Sequence, residues 1–524
     1  RQNPFYDTEK EAQMRVSPYV AIVIGSKNML MKVYEISAAK GIRTIDEIRY
    51  EYELGKEAYF TRKITFAQIE EICSVLEQFQ QRMKEYDVTE FHCYATSAIR
   101  NAKNQVSVLN QIKVRTGIDV IMLSNSELRF LMYKGIQVLK LDFNKIIEKN
   151  TAILDIGSGS VQISLFDKQV LYMTQNLDIG TAKVREFSES VENNVLDYIS
   201  VLEEYIQYEV DMFKSGYLKD KDIKNVIAIG DEIKNINRLV PELHLEDTMS
   251  YEQIQYIYKK IKKASYQDIA IKYGLSMEDA RMVLPSVLVY KIFLERSKAD
   301  TIYICSTNLC DGSVVDYAQK MKKIKVSHDF YQDIIASARY IGKRYRYSKI
   351  HAQYIAELAL EIFDKTKRFH GLTQRDRLIL EISAILHDIG KYVNLNDPGK
   401  NGYQLIMSTE IMGLSHRERE EIANIVLYNT QELPDTDELE TAFWREEYLR
   451  IAKLSSILRL ANALDRGHKQ KFENCSMMRK GQELIITLET NQDITLEITR
   501  FSKKAELFSE FTGITPVLKQ RRAL

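Results

Sequence analysis

The sequence predicts an α/β unit built from two similar halves, then an all-α region and a small β-containing tail. Three observations carry that class. Thr151–Phe166, TAILDIGSGSVQISLF, reads as strand, Gly-Ser turn and strand, and Tyr19–Val33, YVAIVIGSKNMLMKV, repeats the form near the chain start. From Asp329 to Leu464 nearly every segment has helical period, punctuated only by Pro398 and Pro434. Strand-like alternation returns in Ser476–Leu524, at Glu483–Leu488 and Thr495–Ile498.

Each element follows from local pattern. Strand pairs are expected around Ala21–Ile36 and Arg43–Leu54, then an amphipathic helix at Phe66–Tyr86 with Ile69, Ile72, Val75, Leu76 and Phe79 on one face. A strand at Glu90–Tyr94 precedes a helix opened by ATSAIRNAKNQ. The short strand Asp119–Leu123 runs into SNSELRFLMYKGI, a helix that Ser124 or Ser126 would cap, with Glu127 in its first turn. After Thr151 the order repeats: strands, a long helix at Asn194–Phe213, strand Asn225–Ile229 ending at Gly230, and strand Thr301–Cys305 leading to NLCDG. Two halves that each open on a Gly-Ser hairpin point to internal duplication. The expected divisions are an extension at 1–14, lobes at 15–130 and 131–315, a helical domain at 316–475 and a tail at 476–524.

Composition narrows the class. A chain of 524 residues with 45% hydrophobic and 28% charged content is that of a globular protein of several domains. A formal net charge of zero gives no general reason to expect nucleic acid or an anionic membrane as partner, so any anion site is local. Cys73, Cys93, Cys305, Cys310 and Cys475 are scattered, odd in number and without a CxxC, as reduced cytoplasmic thiols would be. No apolar run reaches membrane-spanning length, and RQNPFYDTEKEAQMR is too polar for a signal peptide.

The hairpin at Asp155 has the makings of a phosphate site. Gly157, Ser158, Gly159 and Ser160 expose backbone N–H groups, and Asp155 stands at the mouth, where it suits a divalent cation. The competing reading is an ordinary Gly-Ser hairpin.

Four segments in order carry a resemblance: ATSAIRNAKN at Ala95–Asn104, LSNSELRFLMYKGI at Leu123–Ile136, DIGSGS at Asp155–Ser160 and LDIGTAKVRE at Leu177–Glu186. Together they resemble the exopolyphosphatase / guanosine pentaphosphate phosphohydrolase (Ppx/GppA) family. The resemblance implies a duplicated actin-like (ribonuclease H-like) two-lobed unit followed by a helical HD-type domain. It also implies Mg²⁺ or another divalent cation in the interlobe cleft, a homodimer, and inorganic polyphosphate or guanosine penta- or tetraphosphate as the bound partner. The implied chemistry is in-line attack of water on a terminal phosphoryl group. Glu127 sits where the family keeps its proposed catalytic glutamate, Asp155 at the second loop's carboxylate, and Arg100 where an arginine contacts the phosphate chain. The other readings are a helix N-terminal charge for Glu127 and a surface salt bridge for Arg100.

Departures qualify the match. The family's first loop reads roughly D-x-G-S-N-S; here Val23 replaces the carboxylate, though Gly25 and Ser26 remain and Lys27 adds positive charge. Gln162 stands for the glutamate after the second loop, Gly230–Asp231–Glu232–Ile233 for a G-x-G-G turn, and Cys310 for an arginine. Losing one acid/base group costs about 10²–10⁴ in rate. A weakened hydrolase, or a non-catalytic polyphosphate- or alarmone-binding protein, therefore follows from the resemblance.

The helical region offers a separate set. His351, His387–Asp388 in ILHDIG and Asp465 in ANALDRGH reproduce an H…HD…D ligand pattern, which suits one divalent metal with an open position. Histidines that a second metal would need are replaced by Asn401 and Asn429. Metal-free packed scaffold is the other reading, against a metal-dependent phosphohydrolase. His370 and His416 read as exposed helix or turn residues, and His468 as charge near a helix end. Tyrosines interleaved with Lys and Arg at Arg339–Lys349 read as a solvated helix face before an RNA- or polyphosphate-binding one.

Overall fold

A computed structural model describes residues 16–522 apart from 27, 53, 55–61, 139–141, 158, 193–196, 219–220, 242–246, 435–444 and 473. Lys27, Ser158 and the extension at 1–14 lie outside the described residues. The chain divides into two compact units after Phe330. Among the described residues no helix is long and apolar enough to cross a membrane.

The first unit holds two sheets of one pattern. Strands β1 (Ser17–Ile24), β2 (Asn28–Ser37), β3 (Gly41–Glu51), β4 (Phe91–Ala95) and β5 (Val120–Met122) lie in the order β3-β2-β1-β4-β5. The first three are antiparallel neighbours, and β1, β4 and β5 run parallel. Strands β6 (Thr151–Ile156), β7 (Val161–Asp167), β8 (Val170–Leu177), β9 (Asn225–Ile229), β10 (Thr248–Ser250) and β11 (Thr301–Cys305) give β8-β7-β6-β9-β11-β10. The senses repeat those of the first sheet, with β10 added as an antiparallel edge. The same order twice is what an internal duplication leaves.

Strand β1 shows why the order buries it. Val20, Ile22 and Ile24 face helix α1 (Phe66–Glu85) and its Ile69, Ile72 and Leu76. Tyr19 and Ala21, one residue out of phase, face Cys310, Val314, Tyr317 and Ala318. Alternation at period two thus fills both sides of the sheet. The second face is covered by a helix from the end of the unit, Leu309–Lys320, so this unit continues past residue 315, the expected lobe end.

That helix crosses α2 (Asn125–Gly135) at a backbone contact. A Cβ on Gly312 would lie 1.8 Å from the Leu131 carbonyl oxygen, and one on Gly135 would lie 3.0 Å from Gly312 N. Only glycine permits such an approach. α2 is capped by Ser124, whose Oγ accepts from Glu127 N at 3.2 Å while Glu127 Oε2 accepts from Ser124 N at 2.9 Å.

The second unit is mainly helical. Lys349–His370, Gln374–Leu386, Pro398–Met407, His416–Tyr428 and Arg445–Leu464 precede a sheet of β12 (Asn474–Lys480), β13 (Glu483–Glu489) and β14 (Thr515–Arg521). Thr495–Ile498, expected as a strand, instead opens a helix over Thr495–Thr512. Its buried residues Glu497, Phe501, Phe508 and Thr512 keep helical spacing, and the local alternation of Leu496 and Ile498 lies on the exposed side. His370 is buried rather than exposed: its ring lies 2.9 Å from the Phe363 carbonyl and accepts at Nδ1 from Leu372 N, closing its helix.

Candidate active site and histidine cluster

The two Gly-Ser hairpins close with the same bond. Gly25 N donates to the Asn28 carbonyl at 2.9 Å, and Gly157 N donates to the Ser160 carbonyl at 3.0 Å. A Cβ on Gly25 would sit 2.7 Å from that Asn28 oxygen, so the turn requires glycine. Tyr52 secures the first turn by donating to the Gly25 carbonyl at 2.7 Å. Val23 packs on an apolar cluster of Tyr94, Leu123 and Leu309.

A run of contacts links the first loop to the second. Ser26 Oγ is 3.3 Å from Ser97 Oγ, which precedes Arg100 by three residues. Arg100 donates to the Leu123 carbonyl at 2.8 Å and to Asn125 Oδ1 at 2.5 Å, at the entrance of α2. Farther along α2, Arg129 donates through Nε to Asp155 Oδ2 at 3.2 Å, through Nη2 to Ser160 Oγ at 3.1 Å and through Nη1 to Asn176 Oδ1 at 2.6 Å. Glu127 lies on α2 between Asn125, which receives Arg100, and Arg129, and its Oε2 serves the cap. Arg129 was not singled out in the sequence: nothing in SELRF indicates that this residue reaches a loop 26 positions away.

Asp155 is buried, and that burial raises its carboxyl above the usual range against the pull of Arg129. Gln162 is its direct cross-strand partner and is buried with Oε1 unpaired. Gly230 has φ of 101° and starts the helix Asp231–Arg238. A Cβ there would lie 3.5 Å from Glu232 Oε2 and 3.7 Å from Asp155 Oδ1. Asp231 and Glu232 put negative charge in the first turn, where a bare N-terminus would attract an anion. Cys310, in the arginine's place, is fully buried with its Sγ 3.5 Å from the Ala21 carbonyl, and burial pushes its thiol well up. The next residue, Asp311, is held by Lys32 at 3.2 Å and by the Tyr34 hydroxyl at 2.7 Å.

In the second unit His351, His387 and Asp388 come together. His351 Nε2 is 3.2 Å from His387 Nε2 and 3.8 Å from Asp388 Oδ2, and His387 Nε2 is 3.5 Å from Asp388 Oδ1. Asp465 stands at the other nitrogen of His351, with Oδ2 2.8 Å from Nδ1, and so does not face the point where the others converge. His468, expected to add charge near a helix end, enters the cluster instead. Its ring stacks on His351 with centroids 3.5 Å apart, and its Nε2 is 3.5 Å from Asp388 Oδ2. Burial, with His351 and Lys391 nearby, brings the His468 imidazole down to about 4, and burial likewise lowers His387. Burial alone would raise Asp388, but His387 and Lys391 bring it down to about 2. Lys391 donates to Asp388 Oδ2 at 2.6 Å. Asn401 and Asn429 are bonded elsewhere, to the Asn394 carbonyl and to Asn462.

Residues 32–321 match the Ppx/GppA phosphatase family, and residues 335–505 match Ppx/GppA phosphatase, domain III. The chain is 22% identical over 497 residues to the guanosine-5'-triphosphate,3'-diphosphate pyrophosphatase of Photobacterium profundum, covering 90% of this chain and 92% of that one. A protein of the same name from Vibrio campbellii is 18% identical over 476 residues, with the same coverage. Two solved structures share the fold. The Ppx/GppA family member of Aquifex aeolicus has a TM-score of 0.50 at 20% identity, over 59% of this chain and 99% of that one. An exopolyphosphatase from Cytophaga hutchinsonii has a TM-score of 0.50 at 16% identity, over 59% and 99%. With both of its units matched in succession, this chain belongs to the Ppx/GppA phosphatase family.

Proposed function

We propose that the first unit is an exopolyphosphatase-type phosphoanhydride hydrolase of reduced activity, releasing terminal phosphate from polyphosphate or from guanosine pentaphosphate. The observation that carries the reading is α2. It bears Glu127, receives Arg100 at its entrance, and sends Arg129 to Asp155 and Ser160 of the second loop. Gly25, Ser26, Gly157, Gly159, Ser160 and Gly230 then supply the loops for phosphate, together with Lys27 and Ser158. Glu127 would position the attacking water, and Arg100 would meet the phosphate chain. Asp155 Oδ1 lies toward Gly230 and Glu232 while Oδ2 meets Arg129, so Oδ1 fits Mg²⁺ or another divalent cation. Such an ion supplies positive charge to the phosphate oxygens. The unbridged cysteines, of which Cys73, Cys93, Cys305 and Cys310 are buried, agree with a cytoplasmic protein, and the family resemblance with a homodimer. The test is phosphate release from long-chain polyphosphate with Mg²⁺: activity no faster than that of Glu127→Ala ends the reading.

A second reading is a non-catalytic polyphosphate- or alarmone-binding protein. It is favoured by Val23 on its apolar cluster and by the Asp155–Arg129 pair. It expects thermal stabilisation by polyphosphate or a guanosine polyphosphate without Mg²⁺, weakened by Lys27→Ala. The absence of stabilisation by either ligand counts against it. A third reading, a metal-dependent phosphohydrolase in an HD-type second unit, takes His351, His387, Asp388 and Asp465 as its metal-binding set. Elemental analysis for one equivalent of metal, lost in His387→Ala, tests it.

A further inference from the structure

The histidine cluster has a hydrogen-bond pattern that leaves lone pairs aimed at one point. His387 Nδ1 is 2.7 Å from the Ala384 carbonyl, which can only accept, so Nδ1 carries the proton. His351 Nδ1 faces the Asp465 carboxylate at 2.8 Å and is likewise the protonated nitrogen. With both rings neutral, both Nε2 atoms present lone pairs, 3.2 Å apart inside the protein. Two lone pairs at that distance repel unless a cation stands between them.

Asp465 is not placed to be a ligand of that cation. Its Oδ2 accepts from His351 Nδ1 and, at 2.6 Å, from Gln470 Nε2. Its Oδ1 accepts from the backbone of Lys469 at 3.0 Å and of Gln470 at 2.8 Å. A carboxylate has about four acceptor positions, and all are used. The turn that wraps Asp465 also brings His468 over the cluster: His468 N donates to the Asp465 carbonyl at 3.0 Å, and His468 takes φ of 54°. His468 Nε2 then lies 3.5 Å from Asp388 Oδ2 and 3.4 Å from Lys391 Nζ, so a cation already sits against both groups. The His468 ring stacks on His351, so it must turn out of that stack to aim Nε2 at the same ion, and Lys391 must give up its place; both are about one-third exposed and free to do so. A tetrahedral centre with metal–nitrogen bonds of about 2.0–2.1 Å sets its ligand atoms about 3.3–3.4 Å apart. His351 Nε2 to His387 Nε2 at 3.2 Å and His468 Nε2 to Asp388 Oδ2 at 3.5 Å lie near those edges, and His351, Asp388 and His468 each offer a ligand atom within 4.8 Å of the other two.

We propose that His468, and not Asp465, completes a divalent transition-metal centre with His351, His387 and Asp388, and that Asp465 is the positioning carboxylate behind His351. This rests on reading the cluster as a metal centre, and the test separates the two claims. Full-length metal-free protein is titrated with Co²⁺, following visible absorption for coordination, and with Zn²⁺, using elemental analysis for stoichiometry. The proposal expects one equivalent and a tetrahedral Co²⁺ spectrum in the parent. In His468→Asn, where asparagine tolerates the left-handed backbone, affinity falls at least tenfold and the tetrahedral band is lost. In Asp465→Asn the band is kept while affinity falls about 10–100-fold, as for an outer-shell partner. Circular dichroism of each metal-free variant verifies its fold. If His468→Asn keeps band and affinity, or Asp465→Asn loses the band, the ligand assignment is overturned while the metal centre stands. If the parent takes up neither ion, the metal centre itself is overturned, and a proton shared between the two Nε2 atoms replaces it.

Discussion

The two hairpins of the first unit share a backbone and differ in chemistry. Each follows the central strand of its sheet, and each closes with a glycine N–H to the carbonyl three residues on. Two residues before that glycine, one loop has Val23 on an apolar cluster and the other has Asp155 against Arg129. Sheet order and turn geometry therefore persist without the carboxylate. What a loop can do is decided by one side chain and by the helix that packs beside it.

The largest expected effect concerns Glu127 on that helix. Glu127→Gln retains an oxygen for the Ser124 cap and removes the charge, so melting temperature should hold while phosphate release falls about 10²–10⁴-fold. A rate equal to the parent's would assign Glu127 to the cap alone. Next is stability: Asp155→Ala leaves the Arg129 guanidinium buried without its counter-charge and should cost about 3 kcal/mol in urea unfolding. Val23→Ala at the equivalent site of the first loop should cost about 1 kcal/mol. Equal costs would mean that the two loops are not set apart by charge.

The third prediction restores the missing carboxylates. Val23→Asp with Gln162→Glu should raise polyphosphate hydrolysis about 10–10²-fold if the loops are still correctly built. No gain, in a protein with an unchanged circular dichroism spectrum, would favour the binding reading. The smallest effect is on pH. Burial would raise Asp316, but Lys134 at 2.6 Å and Lys320 at 2.8 Å hold its carboxyl below the usual range. A depressed folded pKa stabilises above the unfolded value of about 3.9 and loses that contribution as pH falls through the folded one. Unfolding midpoints of the parent should therefore decline more steeply below about pH 4 than those of Asp316→Asn.

Local pattern made much of this legible. The Gly-Ser turns, the capping of α2 by Ser124 and the strands Asn225–Ile229 and Thr301–Cys305 each depend on residues near one another in the chain. His351 and His387–Asp388 were readable as a set from the H…HD pattern, and the fold brings their side chains within 3.2–3.8 Å of one another.

Tertiary structure decided what depends on long-range approach. Arg129 meets Asp155 because α2, pressed on the Leu309–Lys320 helix at Gly312, points its side chain at the second loop. A short window made Thr495–Ile498 look like a strand; burial of Phe501 and Phe508 against the rest of the unit made it helical. Asp465 and His468 are three residues apart, and sequence alone favoured the carboxylate as ligand. The turn after Asp465 reversed that by spending the carboxylate's lone pairs on the Lys469 and Gln470 backbone and on His351, and it left the His468 ring stacked on His351 with Nε2 toward Asp388. A side chain's type is written in the sequence, but the direction of its lone pairs is set by what the folded chain places around it.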